Sequence, residues 1–204
     1  MKSGFFNRAS VILGLVAMFF AAGALAQAEP TWVKPGVDWQ QYDKFLVRPL
    51  VVDNVKVIKP AYAQDDPSDW ELEIEDLAGI QAIFRDVMIK ELTGNDGYPV
   101  VYADGQDVVE VEVELLSITP WLKPGGDKAL EGFVVTTLGS GEVAGRAELR
   151  DSTTRELLLL IEGDKAVGEK YAEFTRANNV ANVETMFTSF AQRLRSAMDR
   201  VHGK

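Results

Sequence analysis

The chain has 204 residues, one histidine, no cysteine and a formal net charge of −10. The absence of cysteine excludes disulfides, thiolate metal sites and a lipid anchor of the bacterial lipoprotein type. The acidic balance disfavours nucleic acid and anionic membrane surfaces as general partners.

The first 26 residues have the pattern of a cleaved export signal. Lys2 and Arg8 form a positive segment, an apolar run over 11–26 follows, and Ala24-Leu25-Ala26 places small residues where a signal peptidase cuts. The run is shorter than the about 20 apolar residues that a membrane-spanning helix needs. We therefore predict that residues 1–26 are a signal peptide cleaved before Gln27.

Cleavage there would leave residues 27–204 as a single α+β domain. Glu29 is the second choice for the first residue of the mature protein. The predicted location is the periplasm of a Gram-negative bacterium, with no stable membrane anchor after cleavage. A domain of this length can bury one ordinary hydrophobic core without disulfides.

The first half of the domain predicts a strand, a helix and a strand. Residues 43–52 are rich in β-prone side chains, and Pro49 indicates an edge strand or a bulge. Apolar residues at three- and four-residue spacing predict a helix over 76–93 that ends at Gly94. Residues 98–102 are predicted to form a short strand.

The second half predicts three strands and a helix. Residues 108–118 alternate between apolar side chains and glutamate, which indicates a strand with one buried and one solvated face. Residues 142–150 and 155–165 are predicted to be strands, and an apolar stripe predicts a terminal helix over 181–201 that Asn179 or Asn182 can cap. The fold class is α+β, a mostly antiparallel four- to five-stranded sheet with two helices packed on one face.

No catalytic arrangement is evident in the sequence. The only histidine, His202, stands close to the C-terminus, where chains fray, which argues against a Ser-His pair. Gly139-Ser140-Gly141 lacks the strand-to-helix elbow of hydrolases and is predicted to be a hairpin turn. The acidic stretch from Asp65 to Asp76 does not match the calcium-loop template, so no metal site and no cofactor are predicted.

Glu110, Glu112 and Glu114 form a second acidic set, on one face of the strand predicted over 108–118. Neighbouring members would lie about 7 Å apart. Arg146 and Arg150 are expected on the same outer face, so the sequence predicts cross-strand ion pairs on a solvated surface rather than a cation site.

The candidate binding residues are four aromatic residues, Trp39, Tyr42, Trp70 and Trp121. Three of the four tryptophans of the chain lie beside Pro-Gly or proline-rich loops. They either line a groove for an apolar or glycan ligand or pack their loops onto the core, and the large area that aromatic rings bury favours packing. Asp38 is expected to cap a short helical turn that puts Trp39 and Tyr42 on one side. We predict that this pair seats the N-terminal segment on the core.

The opening of the domain also carries a resemblance. The segment Trp32-Val33-Lys34-Pro35-Gly36-Val37-Asp38-Trp39, followed by Tyr42-Asp43-Lys44-Phe45-Leu46-Val47, resembles the start of domain-of-unknown-function family 3313. That family comprises exported proteobacterial proteins, and the order of the later elements agrees with it over nearly all of residues 27–204. Many members look like lipoproteins, from which this chain departs because it has no cysteine. The family has no assigned reaction, so the resemblance implies no catalytic residue.

Two functions remain open at this point. The first is a non-enzymatic periplasmic accessory or binding protein that offers a sheet edge or a loop groove to a protein, small-molecule or glycan partner. The alternative is a hydrolase or transferase that works through carboxylates, with or without a bound metal ion. Carboxylates from distant segments that converge in a pocket would favour the enzyme.

Overall fold

The computed structural model of the protein describes residues 30–67, 70–123 and 134–204. The signal peptide and the cleavage sites predicted from the sequence lie outside these ranges. Within them, no helix is both long enough and apolar enough to cross a membrane.

The described chain contains eight strands, one 3₁₀ turn and two α-helices. In order, the elements are β1 (Trp32–Val33), a 3₁₀ turn (Trp39–Gln41), β2 (Lys44–Val47), β3 (Lys56–Val57), α1 (Ile74–Thr93), β4 (Val108–Pro120), β5 (Thr136–Leu138), β6 (Gly141–Asp151), β7 (Leu157–Val167), β8 (Tyr171–Glu173) and α2 (Arg176–His202). The α+β class predicted from the sequence is confirmed.

The main sheet has six strands in the order β1-β7-β6-β4-β2, and β3 pairs with β4 beyond the end of β2. Strands β4, β6 and β7 are antiparallel, as predicted, and β1 joins β7 antiparallel. The prediction missed that β2 and β3 run parallel to β4, which makes the sheet mixed. Since α1 lies between β2 and β4 in the chain, it carries the backbone across the sheet, and such a crossover leaves the two strands parallel. Strands β5 and β8 pair separately.

Two predicted strands are shorter in the structure. The segment 43–52 is regular only over Lys44–Val47, because Pro49 has no amide hydrogen to donate to a ladder. The segment 98–102 forms one isolated bridge, between Val100 and Phe45. Both corrections concern the edge of the sheet, where Val100 adds only this one bridge to β2.

The terminal helix begins five residues earlier than predicted, at Arg176. Its cap is Thr175, whose hydroxyl accepts a hydrogen bond from the amide of Asn178 at 3.2 Å. Asn179 and Asn182, the predicted caps, lie inside the helix. The additional first turn of α2 contains Arg176 and Asn179, which border a groove between the two helices.

Both helices pack on one face of the main sheet, in one continuous core. The rings of Phe84 in α1 and Phe187 in α2 meet edge to face, with centroids 5.2 Å apart. Further along both helices, the Arg195 side chain hydrogen-bonds the carbonyl groups of Glu91 and Gly94. The two helices therefore run in the same direction, and both begin at the same end of the molecule.

Candidate functional site

Toward their N-terminal ends the helices diverge and leave a groove of about 530 Å³ over the sheet. One side of each helix lines it: Asp76, Gly79, Ile80 and Ile83 from α1, and Arg176, Asn179, Val180, Val183 and Met186 from α2. Its floor is formed by apolar side chains of the sheet, Leu115, Ile118, Val143 and Val167. The volume lies within the range of small-molecule and cofactor pockets.

Gly79 widens the groove on the side of α1. Among the described residues, a β-carbon built on it would meet no heavy atom within 4 Å outside its chain neighbours and the nearby backbone of its own helix, so this position is open. A glycine inside a helix destabilises it by roughly 1 kcal/mol relative to alanine. Gly79 therefore lowers helix stability at a position where a larger side chain would extend into the groove.

The rim of the groove is predominantly acidic. Its carboxylates outnumber its cations: Glu71, Glu73, Glu75, Asp76 and Glu142 against Lys123 and Arg176. None of the five carboxylates forms an ion pair with another described residue. Two of them, in the first turn of α1, also lie where the helix dipole favours negative charge.

A small polar cluster forms one wall of the groove. The hydroxyl of Ser140 donates to the side-chain oxygen of Asn179 at 2.7 Å and accepts from the amide of Asn182 at 2.9 Å. Residues 139–141 connect β5 to β6, which belong to different sheets, so the hairpin turn predicted here is wrong. With its hydroxyl held by two amides, Ser140 is a structural and hydrogen-bonding group.

Trp39 and Tyr42 lie at the opposite end of the helices from the groove. The 3₁₀ turn that bears Trp39 is capped by Asp38, whose carboxylate accepts from the Gln40 amide at 3.2 Å, as predicted. Trp39 is 8% exposed and packs on the last turns of α2, where the remaining gap is about 10 Å³. The Tyr42 hydroxyl donates to Asp151 at 2.9 Å, and burial together with this bond raises its pKa above the usual value.

The other two aromatic candidates lie outside the groove as well. Trp70 is buried, and its indole N–H has no hydrogen-bond partner among the described residues. Trp121 is half-buried, and its indole N–H donates to the carbonyl of Leu138 at 2.8 Å. The fold therefore does not bring the four aromatic residues into one site, although the chain neighbours of Trp121, Pro120 and Leu122, line the groove.

The solvated glutamate face predicted for β4 is wrong at Glu110, which is completely buried. One of its oxygens binds Arg48, at 2.7 Å, and also Arg155. Arg155 has a left-handed backbone, with φ of 63°, at the turn between β6 and β7. The other carboxylate oxygen of Glu110 is buried without a hydrogen-bond partner among the described residues. Two basic side chains thus cover a carboxylate that alternation alone assigns to solvent.

The remaining charges on that face form the cross-strand pairing that was expected, in part. Glu114 binds Arg146 at 2.7 Å, as predicted. Arg150 binds Glu148 of its own strand instead of a glutamate of β4, with a nitrogen–oxygen distance of 2.8 Å. Among the described residues, no group of three or more histidine, aspartate or glutamate side chains could hold a metal ion.

His202 is held in place, contrary to the expectation of a frayed end. Its Nε2 lies 2.9 Å from the carbonyl oxygen of Tyr42, and its ring packs against Tyr98 with centroids 5.7 Å apart. The helix ends at His202 and is capped by Gly203, with φ of 70°. The histidine closes the end of the molecule away from the groove, and its contacts there are with Tyr42 and Tyr98.

Sequence reasoning assigned the apolar groove residues to the core and missed the groove itself. Two signals were available. Gly79 interrupts the interior of a predicted helix, and Thr175 followed by Asn178 and Asn179 starts a helix with residues of low helix propensity. Neither signal shows by itself that the helices diverge.

Comparisons with known proteins give a family and a set of distant folds. The DUF3313 family, described as protein of unknown function, matches residues 20–194. No curated protein matches the chain. A PelC dodecamer from Paraburkholderia phytofirmans is similar with a TM-score of 0.42 at 10% identity, over 81% of this chain and 96% of that chain. A DUF330 protein from Xanthomonas campestris gives a TM-score of 0.43 at 10% identity, over 86% and 97%. Likenesses this distant say nothing about function.

Proposed function

The chain belongs to the DUF3313 family of proteins of unknown function, and for this member of it we propose that it is a non-enzymatic binding protein of the periplasm. Its groove holds an apolar group of a partner between α1, α2 and the main sheet. The location rests on the export signal predicted over residues 1–26. The binding role rests on the groove.

The observation that carries the proposal is an apolar floor left open between two helices. Val183 and Met186 of α2 and Ile80 of α1 face the sheet across about 530 Å³ of space. The hydrophobic effect favours closing such a gap, since packing apolar side chains releases about 25 cal/mol per Å² of surface. A concave apolar surface with a few polar groups on its wall is the usual form of a binding pocket.

The enzymatic alternative has no specific observation in its favour. The one completely buried carboxylate among the described residues, Glu110, is paired with Arg48 and Arg155 rather than open to a substrate. Ser140, which does line the groove, is bonded to two asparagine side chains. Binding without chemistry is the function that this arrangement supports best.

Binding can be tested with a neutral apolar fluorophore, N-phenyl-1-naphthylamine, and two helix variants. Gly79→Leu puts a side chain into the groove, and we expect the dissociation constant of the dye to rise at least about tenfold, which corresponds to about 1.4 kcal/mol. Ala78→Leu is the matched control, because Ala78 is exposed on the same helix and does not line the groove. Equal dye binding by wild type and Gly79→Leu would contradict the proposed site.

The location has a separate test. The intact mass of the protein isolated from its host should correspond to a chain that begins at Gln27, or at Glu29 as second choice. A mass that retains residues 1–26 would contradict export with cleavage. This result is independent of the dye experiment, since it does not involve the groove.

A further inference from the structure

The rim of the groove indicates the charge of what it binds. Glu71 and Glu142 approach it from a loop and from β6, and three more carboxylates lie at the start of α1. Lys123 and Arg176 are the only cations among the described residues of the lining. An apolar site that is edged by carboxylates favours a partner with positive charge next to its apolar part and disfavours fatty acids and anionic lipids.

The shape of the groove indicates a helical partner. Two parallel helices diverge above a sheet, and the space between them is lined by side chains at helical spacing, such as Ile80 and Ile83 on one side and Val180 and Val183 on the other. A third helix laid between them would complete the helical layer with ridges against grooves. Amphipathic helices bind other proteins in this way, through apolar residues about one turn apart.

Part of the apolar lining is open to solvent. Val180 lines the groove on the side of α2 and is 44% exposed. Exposed apolar surface beside an apolar concavity is typical of an interaction surface.

We propose that the occupant is an amphipathic helical segment of a partner protein, apolar on one face and carrying lysine or arginine beside that face. This inference rests on the proposed function and names the class of its partner. The apolar face replaces water over the floor of the groove, and the basic side chains meet the rim carboxylates. Ser140 and Asn179, which line one wall of the groove, can hydrogen-bond polar groups of the segment.

The experiment uses two designed peptides with leucine at helical spacing, one with lysine and one with glutamate at all other positions. We expect the lysine peptide to bind and to displace N-phenyl-1-naphthylamine, and the glutamate peptide to bind about tenfold more weakly at low salt. The variant Glu71→Lys/Glu142→Lys should weaken the lysine peptide about tenfold and leave the affinity of the neutral dye unchanged. Both positions lie outside the helices, so helix stability is not altered by these substitutions.

The control is Asp53→Lys/Glu162→Lys, which makes the same change of charge at exposed positions that do not line the groove. If the dye binds in the groove but the two peptides bind equally, or if both double variants have the same effect, the inference is overturned and the proposed function stands. If Gly79→Leu leaves both dye and peptide affinities unchanged, the groove is not the site and both proposals fall.

Discussion

The two ends of the helical layer are built from the same sheet and the same two helices, yet one is closed and the other is open. At the closed end the gap beside Trp39 is about 10 Å³, which is about the space that one water needs. At the open end the groove is about 530 Å³. The difference comes from an additional segment, because the 3₁₀ turn (Trp39–Gln41) fills the closed end. The gap between the helices and the sheet is therefore filled at the closed end by a segment that belongs to neither helix.

The polar groups of the two ends also differ in whether they are bonded within the fold. At the closed end Tyr42 bonds Asp151, His202 approaches the Tyr42 carbonyl, and Arg195 bonds the backbone where α1 ends. At the open end the wall groups Ser140, Asn179 and Asn182 bond one another, but the rim carboxylates have no ion-pair partner among the described residues. The closed end thus uses its polar groups in contacts within the fold, whereas the open end leaves the rim carboxylates without such pairs.

The strongest test of this contrast removes the plug of the closed end. Trp39→Ala should lower the free energy of unfolding by about 3–5 kcal/mol, since it deletes a large ring from a well-packed position. For a domain of this size each kcal/mol moves the melting temperature by about 2–4 °C. Thermal unfolding followed by circular dichroism measures the shift. An unchanged melting temperature would show that the ring does not hold the N-terminal segment on the core.

A smaller loss of stability is expected when a buried charge, rather than a packed aromatic ring, is removed near the closed end. Glu110→Ala leaves Arg48 and Arg155 without their common partner, and we expect a loss of about 1–3 kcal/mol. Since both arginines are partly exposed, they can turn toward water, which limits the loss. Urea unfolding measures it. Glu142→Ala, at the exposed rim of the groove, should stay within about 0.5 kcal/mol, and equal losses would contradict the contrast between the two ends.

At the open end a substitution should stabilise the protein. Gly79→Ala removes the helix penalty of glycine, so the free energy of unfolding should rise by about 0.5–1 kcal/mol. The new β-carbon meets no atom within 4 Å, so no strain opposes the gain. Urea unfolding next to wild type tests this prediction. A decrease in stability would mean that Gly79 is required by the fold and is not a feature of the groove.

The smallest expected effect is a loss of stability at acidic pH. Partial burial acts to raise the pKa of Asp151, but hydrogen bonds from the Thr154 amide and from the Tyr42 hydroxyl outweigh it and hold the pKa below its ordinary value of 3.8. The ionised carboxylate therefore adds stability above the pKa of the unfolded chain, and this part is lost as the pH falls through the lower folded pKa.

The corresponding variant is Asp151→Asn. Its deficit in stability relative to wild type should be largest near neutral pH and should shrink below about pH 4. Urea midpoints across that range measure it. The exposed Asp53→Asn serves as the control, and a deficit of Asp151→Asn that does not vary with pH would contradict the assignment.

Much of the fold can be predicted from periodicity, because each long element has one apolar face. The helix predicted over 76–93 ends where expected, and the strand predicted over 108–118 is two residues longer. The parallel pairing of β2 with β4 was also accessible in principle, since a helix between two strands predicts a crossover. The early start of α2 was not, because its first turn contains asparagines that resemble a loop.

The candidate site was much less predictable. Helical spacing shows that Ile80 and Val183 face the sheet, but it does not show whether the two helices touch there. That depends on where Phe84 meets Phe187, and hence on a tertiary packing angle that no local pattern records. The burial of Glu110 has the same origin, since the two arginines that cover it come from the residue after β2 and from the turn after β6.

The contacts that close the molecule join its most distant parts. The side chain of Gln40 reaches the carbonyl of Val201, and His202 approaches that of Tyr42, across 161 and 160 positions of the chain. Contacts at such separation form late in folding, because a long loop must be ordered before they contribute. The sheet strands β4, β6 and β7 are joined more locally and can pair earlier. We therefore expect the closed end to be the last part of the native structure to form.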